Sequence, residues 1–272
     1  CTEVKQEESK GNLKIGWSTI DITPDKPVLI SGQFHARVSE GVMDPVTATA
    51  LAMESGGGSS SEKVIMISCD LSTIRDGSRD RSNENLRNIV RDLVIKSIPE
   101  LKPEQIILNA THTHSGPYYG VEKDITEAYG IELDAMPPLE VNEFLTERIA
   151  KVAQQAWENR KAAGISYGLG HAVVGQNRLQ VDRSGKSQMY GNTNRPEFSH
   201  IEGYEDHSVN LLYTWDNKSE LTGVVINVAC PSQVSESVFS ISADYWHDVR
   251  VELRKRLDQD LFVLPQASSA GD

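Results

Sequence analysis

The sequence predicts an α/β fold, with mixed sheet layers and flanking helices in a single large domain. Short apolar runs rich in β-branched residues alternate with longer stretches whose apolar residues recur at helical spacing. A strand-helix-strand succession occupies the first half, the signature of a parallel pair in a covered sheet. The chain has 272 residues, 38% of them hydrophobic, enough for one large core, and neither an internal repeat nor a linker divides it.

Leu13 to Ile22 reads as the first strand, stopped by Thr23-Pro24. Thr47–Met53 and Val64–Cys69 flank Ser55-Gly-Gly-Gly-Ser-Ser-Ser61, a composition suited to a flexible surface loop, and are expected to form a hairpin. From Ser82 to Ile98 the apolar residues Leu86, Ile89, Val90, Leu93, Val94 and Ile98 keep a helical period, with Ser82 as the expected cap and Pro99 as the stop. Ile106–Ala110 follows as a buried strand. Tyr118 to Pro138 is long, acidic and rich in turn residues, and is expected either as a lid or wall of a pocket or as a disordered insertion. Glu140 to Ala163 reads as a longer helix. Ser166–Val174 reads as a strand, and His207–Trp215 with Leu221–Ala229 as a hairpin turned at Asp216-Asn217. Tyr245 to Leu257 reads as a helix and Leu261–Leu264 as a last strand.

A net charge of −12 argues against bare nucleic acid as a partner and against electrostatic adhesion to anionic membrane. No apolar run approaches the roughly 20 residues that span a bilayer. Ser184-Gly-Lys-Ser187 is not a phosphate loop, because Gln180 stands where its first glycine would be. No Gly-x-Ser-x-Gly and no His-Glu-x-x-His occurs, which disfavours a serine hydrolase and a helix-borne metalloprotease. Cys1 begins the chain and Thr2 to Asn12 is polar and aperiodic, as in a mature bacterial lipoprotein; residues 1–12 are expected to form a flexible tether. That implies a lipid-anchored protein of the cell envelope, with membrane tethering through Cys1. Cys69 and Cys230 are then either free thiols or a pair in an oxidising compartment.

The most informative stretch is Ile106-Ile-Leu-Asn-Ala-Thr-His-Thr-His-Ser-Gly-Pro117. A buried strand ends at a His-x-His pair before a Gly-Pro turn. If the pair is still extended, His112 and His114 project from one face. Two imidazoles side by side suit a transition metal or proton transfer. A right-handed crossover from Val64–Cys69 would bring Asp70 and His112 to the same, C-terminal end of the sheet, where open α/β sheets place ligands.

Ala110-Thr-His-Thr-His-Ser-Gly-Pro117 resembles the signature of the neutral/alkaline non-lysosomal ceramidase family, zinc-dependent amidases that cleave N-acyl sphingosine. Asp21-Ile-Thr-Pro24, Gly41-Val-Met-Asp-Pro45, Asn177-Arg178, Gly203-Tyr-Glu-Asp206 and the terminal Gly271-Asp272 are similar to further segments of that family. The resemblance therefore runs over residues 13–272, as the N-terminal part of the family's catalytic domain. It implies a metal-dependent hydrolase that cleaves an amide, with one zinc ion as cofactor and a small-molecule or lipid-like amide as substrate.

Carried over position by position, the family's first histidine ligand falls on His112, and His114 becomes a proton-handling residue behind it. The opposite assignment stays open. The family's second histidine falls at Asn227-Val-Ala-Cys-Pro-Ser-Gln233, where Cys230 replaces it. A thiolate also binds zinc, so a His/Cys site is one reading, and a small buried cysteine is the other. Arg178 corresponds to an arginine that holds the substrate region, with catalytic and substrate-binding roles. Asp244 and Tyr245 correspond to a polar segment that would contact substrate. Asp70 and Asp44 are candidate acceptors behind a metal-bound histidine. His35, His171, His200, His207 and His247 are read as structural or solvated. The family's catalytic serine and its glutamate and tyrosine ligands would fall beyond Asp272, so the chain alone is expected to be inactive. The competing readings are a non-catalytic envelope binding protein on the same scaffold, and a hydrolase of another amide or ester such as a sugar derivative.

Overall fold

In β1 (Lys14–Asp21) the large apolar side chains Ile15 and Trp17 share one face, and Gly16 and Ser18 the other, as strand alternation requires. Everything else in the sheet is arranged around those two faces. A computed structural model describes residues 13–56, 61–74, 85–126 and 130–270. The tether of residues 1–12, Ser82 and the terminal Gly271-Asp272 lie outside the described residues.

β1 pairs antiparallel with β3 (Thr47–Ser55), which follows the two-residue β2 (Gly41–Val42). β3 pairs antiparallel with β4 (Glu62–Cys69), the expected hairpin, with Ala48 opposite Cys69 and Ser55 opposite Glu62. α1 (Leu86–Ser97) crosses to β5 (Ile106–Ala110), which lies parallel to β4. This is the predicted strand-helix-strand unit. The helix starts later than expected. Asn85 caps it, its side chain accepting from the Asn88 amide at 3.0 Å, so the cap is Asn85 rather than Ser82.

α2 (Pro138–Glu158) ends before the periodicity suggested. Residues 161–163, read as its last turn, begin β6 (Lys161–His171) instead, because Lys161 and Ala162 pair with Ile15 and Lys14. Tertiary pairing here overrides the alanines' helix propensity. β6 therefore replaces the expected strand Ser166–Val174, starting earlier and ending earlier.

Three short strands unmarked by strong alternation, β7 (Leu179–Asp182), β8 (Ser187–Met189) and β9 (Phe198–Ile201), make a small separate sheet. β10 (Ser208–Asp216) and β11 (Leu221–Val228) form the predicted hairpin, turned where Asp216 Oδ1 accepts from the Lys218 and Glu220 amides. β12 (Ser240–Ile241) pairs with β2, α3 spans Tyr245–Arg256, and β13 (Phe262–Ala267) lies parallel to β11.

The main sheet is mixed and eight-stranded, in the order β13-β11-β10-β6-β1-β3-β4-β5. β1 and β6 share only two residue pairs, so the sheet folds over at that seam. Its two halves close on a core of Ile15, Trp17, Leu51, Val225 and Leu264. Trp17 stacks on Phe262 across the fold, with ring centroids 5.7 Å apart, and donates from Nε1 to Thr214 Oγ1 at 2.9 Å. α1 and α2 cover the outer face of the first half through Leu86, Val90, Val94, Val141, Leu145, Ile149 and Ala156. α3 places Leu253 against Val224, Leu261 and Val263 on the outer face of the second. The result is a mixed α/β domain with helices outside both halves. The C-terminal ends of β4 and β5 lie near those of β11 and β13: Ser68 Oγ and Asn109 Nδ2 both donate to Pro265 O, at 2.6 and 3.1 Å.

Candidate active site

The loops after β5 and β11 meet at that end of the sheet, where the His114 amide donates to Ser232 O at 3.1 Å. Asp70 and His112 do share the end, as expected, with the His112 amide donating to Leu71 O at 3.0 Å. The pair itself is not extended. His112 has φ +63°, a left-handed conformation costly for a residue with a β-carbon. Its side chain nevertheless meets that of His114, the ring centroids 4.9 Å apart and the two Nε2 atoms 3.3 Å apart. Gly32, φ +103°, packs its Cα against His114, and a β-carbon there would fall 2.5 Å from His114 Cβ.

The surrounding partners decide where the imidazole protons sit. His112 Nδ1 lies 2.6 Å from Ser72 O; a carbonyl only accepts, so this nitrogen carries the proton and Nε2 bears the lone pair. For His114 the chain of inference starts at Arg178. A guanidinium has no acceptor, so Arg178 Nη1, 3.2 Å from the side-chain oxygen of Gln233, orients that amide. The Gln233 NH2 must then face His114 Nε2 at 2.8 Å and donate to it. His114 is therefore protonated on Nδ1, which lies 3.4 Å from Glu236 Oε2. Burial lowers the His114 pKa, the neighbouring His112 adds to this, and Glu236 opposes it. The lowered pKa favours the neutral ring, whose Nε2 lone pair accepts from Gln233. The His112 Nε2 lone pair lies 3.3 Å from His114 Nε2, whose own lone pair is taken by Gln233.

The loop carrying Gln233 and Glu236 is clamped from behind. Asp244 is buried, has φ +58°, and accepts from the Ser235 amide and hydroxyl, both at 2.6 Å, and from the Tyr245 amide at 2.8 Å. Ser115 Oγ donates to Ser235 O at 2.8 Å, and Gln33 Nε2 to Glu236 O at 3.1 Å. Arg37, buried, donates to His114 O and Val238 O. Tyr245 donates from its hydroxyl to Cys230 O at 3.0 Å. Asp244 and Tyr245 thus hold backbone, where the sequence suggested substrate contacts.

A cavity of about 500 Å³ opens beside this network. Gly175, Gln176, Arg178, Cys230, Gln233 and Val234 form one part of its wall, and Tyr204, Glu205 and Asp206 another. Arg178 also donates to Tyr190 Oη at 3.2 Å and lies over that ring. The acidic stretch 118–138 does not line this cavity in its described residues. It packs on the segment after β1, with the Tyr118 amide donating to Leu29 O and the Met136 amide to Pro27 O.

The predicted metal set is brought together only in part. His112 and His114 meet, and His112 has the carbonyl partner on its far nitrogen that orients metal-binding imidazoles. Among the described residues no three His, Cys, Asp or Glu side chains gather as a metal site, so Cys230 does not join the two histidines in one. Its thiol points to Pro231 O, and burial raises its pKa. Cys69 is buried, and both cysteines are free thiols. The donor chemistry fits one end of a metal centre, not a whole one.

Asp70 serves neither histidine: it pairs with Arg250 at 2.8 and 2.9 Å and accepts from Thr47. Asp44 accepts from Ser242 Oγ and the Ala243 amide, with His247 Nδ1 4.0 Å away. His35, His171 and His200 are exposed, and His207 lies 3.4 Å from Glu205. Gln233, Glu236 and Ser72 were not anticipated. The signal for the first two was the Pro231-Ser-Gln turn directly after β11, and Ser72 contributes only backbone.

No protein-family model matches the chain, and no curated protein does. Solved structures do. Neutral ceramidase from Pseudomonas aeruginosa superposes with a TM-score of 0.71 at 18% identity, over 96% of this chain and 39% of that one. A ceramidase complexed with C2 gives 0.70 at 17% identity, over 96% of this chain and 38% of that one. The chain therefore has a ceramidase-like fold and spans less than two-fifths of the length of those neighbours.

Proposed function

We propose that this chain carries the histidine end of a metal-dependent hydrolytic site that cleaves an N-acyl amide bond. The observation behind this reading is the meeting of two imidazoles, each with its Nδ1 held by a carbonyl or carboxylate on the far side, beside a cavity. The ceramidase-like fold supports hydrolysis as the class of reaction.

His112 would hold the ion through Nε2, and the remaining donors would come from outside the described residues. A bound metal supplies Lewis acidity and a water acidic enough to attack near neutral pH. His114, oriented by Gln233 and Glu236, would exchange the Gln233 hydrogen bond at Nε2 for a proton and later return that proton to the departing amine. Arg178, lining the cavity and tied to Gln233, faces the developing oxyanion or the carboxylate product.

Metal content and amide hydrolysis of the full-length protein, with the donors that lie outside the described residues, test this reading. We expect near-stoichiometric zinc, lost at least tenfold in His112→Ala, and amidase activity abolished in the same variant. His114→Gln is expected to keep metal better than activity. A protein that holds no metal under zinc saturation sinks the proposal. The absence of a third ligand among the described residues would then favour a binding protein on the same scaffold.

A further inference from the structure

The cavity beside the histidine pair has a second wall that the hydrolytic reading leaves unused. We infer that this wall, Tyr204-Glu205-Asp206, selects a compact, polyhydroxylated N-acyl amine, an N-acylated amino sugar in chemical class. The inference rests on the hydrolytic site proposed above and names what that site takes.

Size is the first argument. At about 30 Å³ per heavy atom, the share of one water in the liquid, a cavity of about 500 Å³ holds roughly 17 heavy atoms. An N-acetylhexosamine fits inside it, whereas an amide carrying two long alkyl chains would leave most of each chain outside. The lining is the second. Tyr204 is 92% exposed yet lines the cavity, so its ring offers an open aromatic face rather than core packing. The negative face of an aromatic ring attracts the weakly positive C–H face of a sugar. Beside it stand two carboxylates, acceptors for vicinal hydroxyls. Backbone amides fix both: the Asn177 amide donates to Glu205 Oε1 and the Ser208 amide to Asp206 Oδ1, each at 2.9 Å. Those bonds lower both pKa values and keep the groups ionised. Gln176, Arg178 and Gln233 add further polar groups to the lining. A lipid channel would be walled by aliphatic side chains; among the described residues Val234 is the one large aliphatic side chain in this lining.

Binding separates this inference from the hydrolytic one, because it needs no turnover. The probe is N-acetylglucosamine, titrated into the isotope-labelled protein and followed by amide chemical shifts. A short-chain ceramide in detergent micelles serves as competitor. We expect saturable shifts at Tyr204, Glu205, Gln233 and Arg178, a loss of affinity of at least tenfold in Tyr204→Ala, and retention in Tyr204→Trp. Tyr204 is exposed, so neither variant threatens folding. No saturable shift up to about 100 mM sugar, or displacement of the sugar by the ceramide from the same residues, overturns the inference. Sugar binding by a full-length protein that hydrolyses no amide would leave it standing and sink the hydrolytic reading instead.

Discussion

The Asp244 carboxylate, carried on a left-handed backbone, accepts three hydrogen bonds, two of them from Ser235. Its work is to hold the turn that presents Gln233 and Glu236 to His114. Removing a buried carboxylate that accepts from several donors costs about 3 kcal/mol, since charge-assisted hydrogen bonds are worth roughly 1.5–3 each and the donors lose their partner. Asp244→Ala is therefore expected to lower the unfolding midpoint in urea and to shift the Gln233 and His114 side-chain resonances together. Asp244→Gly, free of the backbone penalty, should lose less stability while shifting the same resonances. Unchanged His114 resonances in both variants would show that the turn stands without its clamp. The residue-scale site was legible where chemistry is written in the side chain. The His-x-His pair and Arg178 stand out because imidazole and guanidinium are uncommon after a buried strand or in a turn. Gln233 and Glu236 do not stand out: their role comes from a loop folding back over a sequence distance of more than a hundred residues.

Elements were legible where one period dominates. β3, β4, α1 and β5 have clean alternation or helical spacing, and they stand within a few residues of expectation. The boundary between α2 and β6 was not legible, because Lys161-Ala-Ala-Gly suits a helix end and only the pairing with Lys14 and Ile15 makes it a strand. β7, β8 and β9 are too short to show a period and are defined by their pairing. The contact between α2 and β1 depends on Gly16. A β-carbon there would lie 2.1 Å from Ala156 O and 2.6 Å from Arg160 N, both backbone atoms that cannot swing aside. Gly16→Ala is expected to push the end of α2 away from the sheet at a cost of about 3 kcal/mol, at the upper end for overpacking. A thermal melt within a degree of the parent would refute the close contact.

At the scale of the whole molecule, the two halves of the folded sheet are joined by the Trp17 core and by polar ties between their strand ends and loops. One is the buried pair of Asp70, at the end of β4, and Arg250, on α3. Both partners are almost wholly buried, so removing one strands the other's charge in the interior. Asp70→Ala is expected to cost about 3–5 kcal/mol, and Asp70→Ala with Arg250→Met to recover much of it, because an apolar pair of similar volume is tolerated where a lone charge is not. Urea unfolding of the single and double variants checks this, and a double variant no better than the single would assign the loss to packing. The general fold class was legible from the succession of elements. The doubling-over of the sheet was not, since it depends on β1 and β6 parting after two residue pairs.

Those ties carry a consequence for how the protein is born. His114 meets Gln233 across 119 positions, Asp70 meets Arg250 across 180, and Trp17 meets Thr214 across 197. Contacts of such long range form late, because the loops they close must be brought together before any contact rewards the closure. On the ribosome, β1 to β5 emerge with their helices while the histidines still lack the turn that aligns them. The geometry of the histidine pair is thus a property of the last third of the chain arriving, and synthesis of the first two-thirds yields a scaffold with its imidazoles unset.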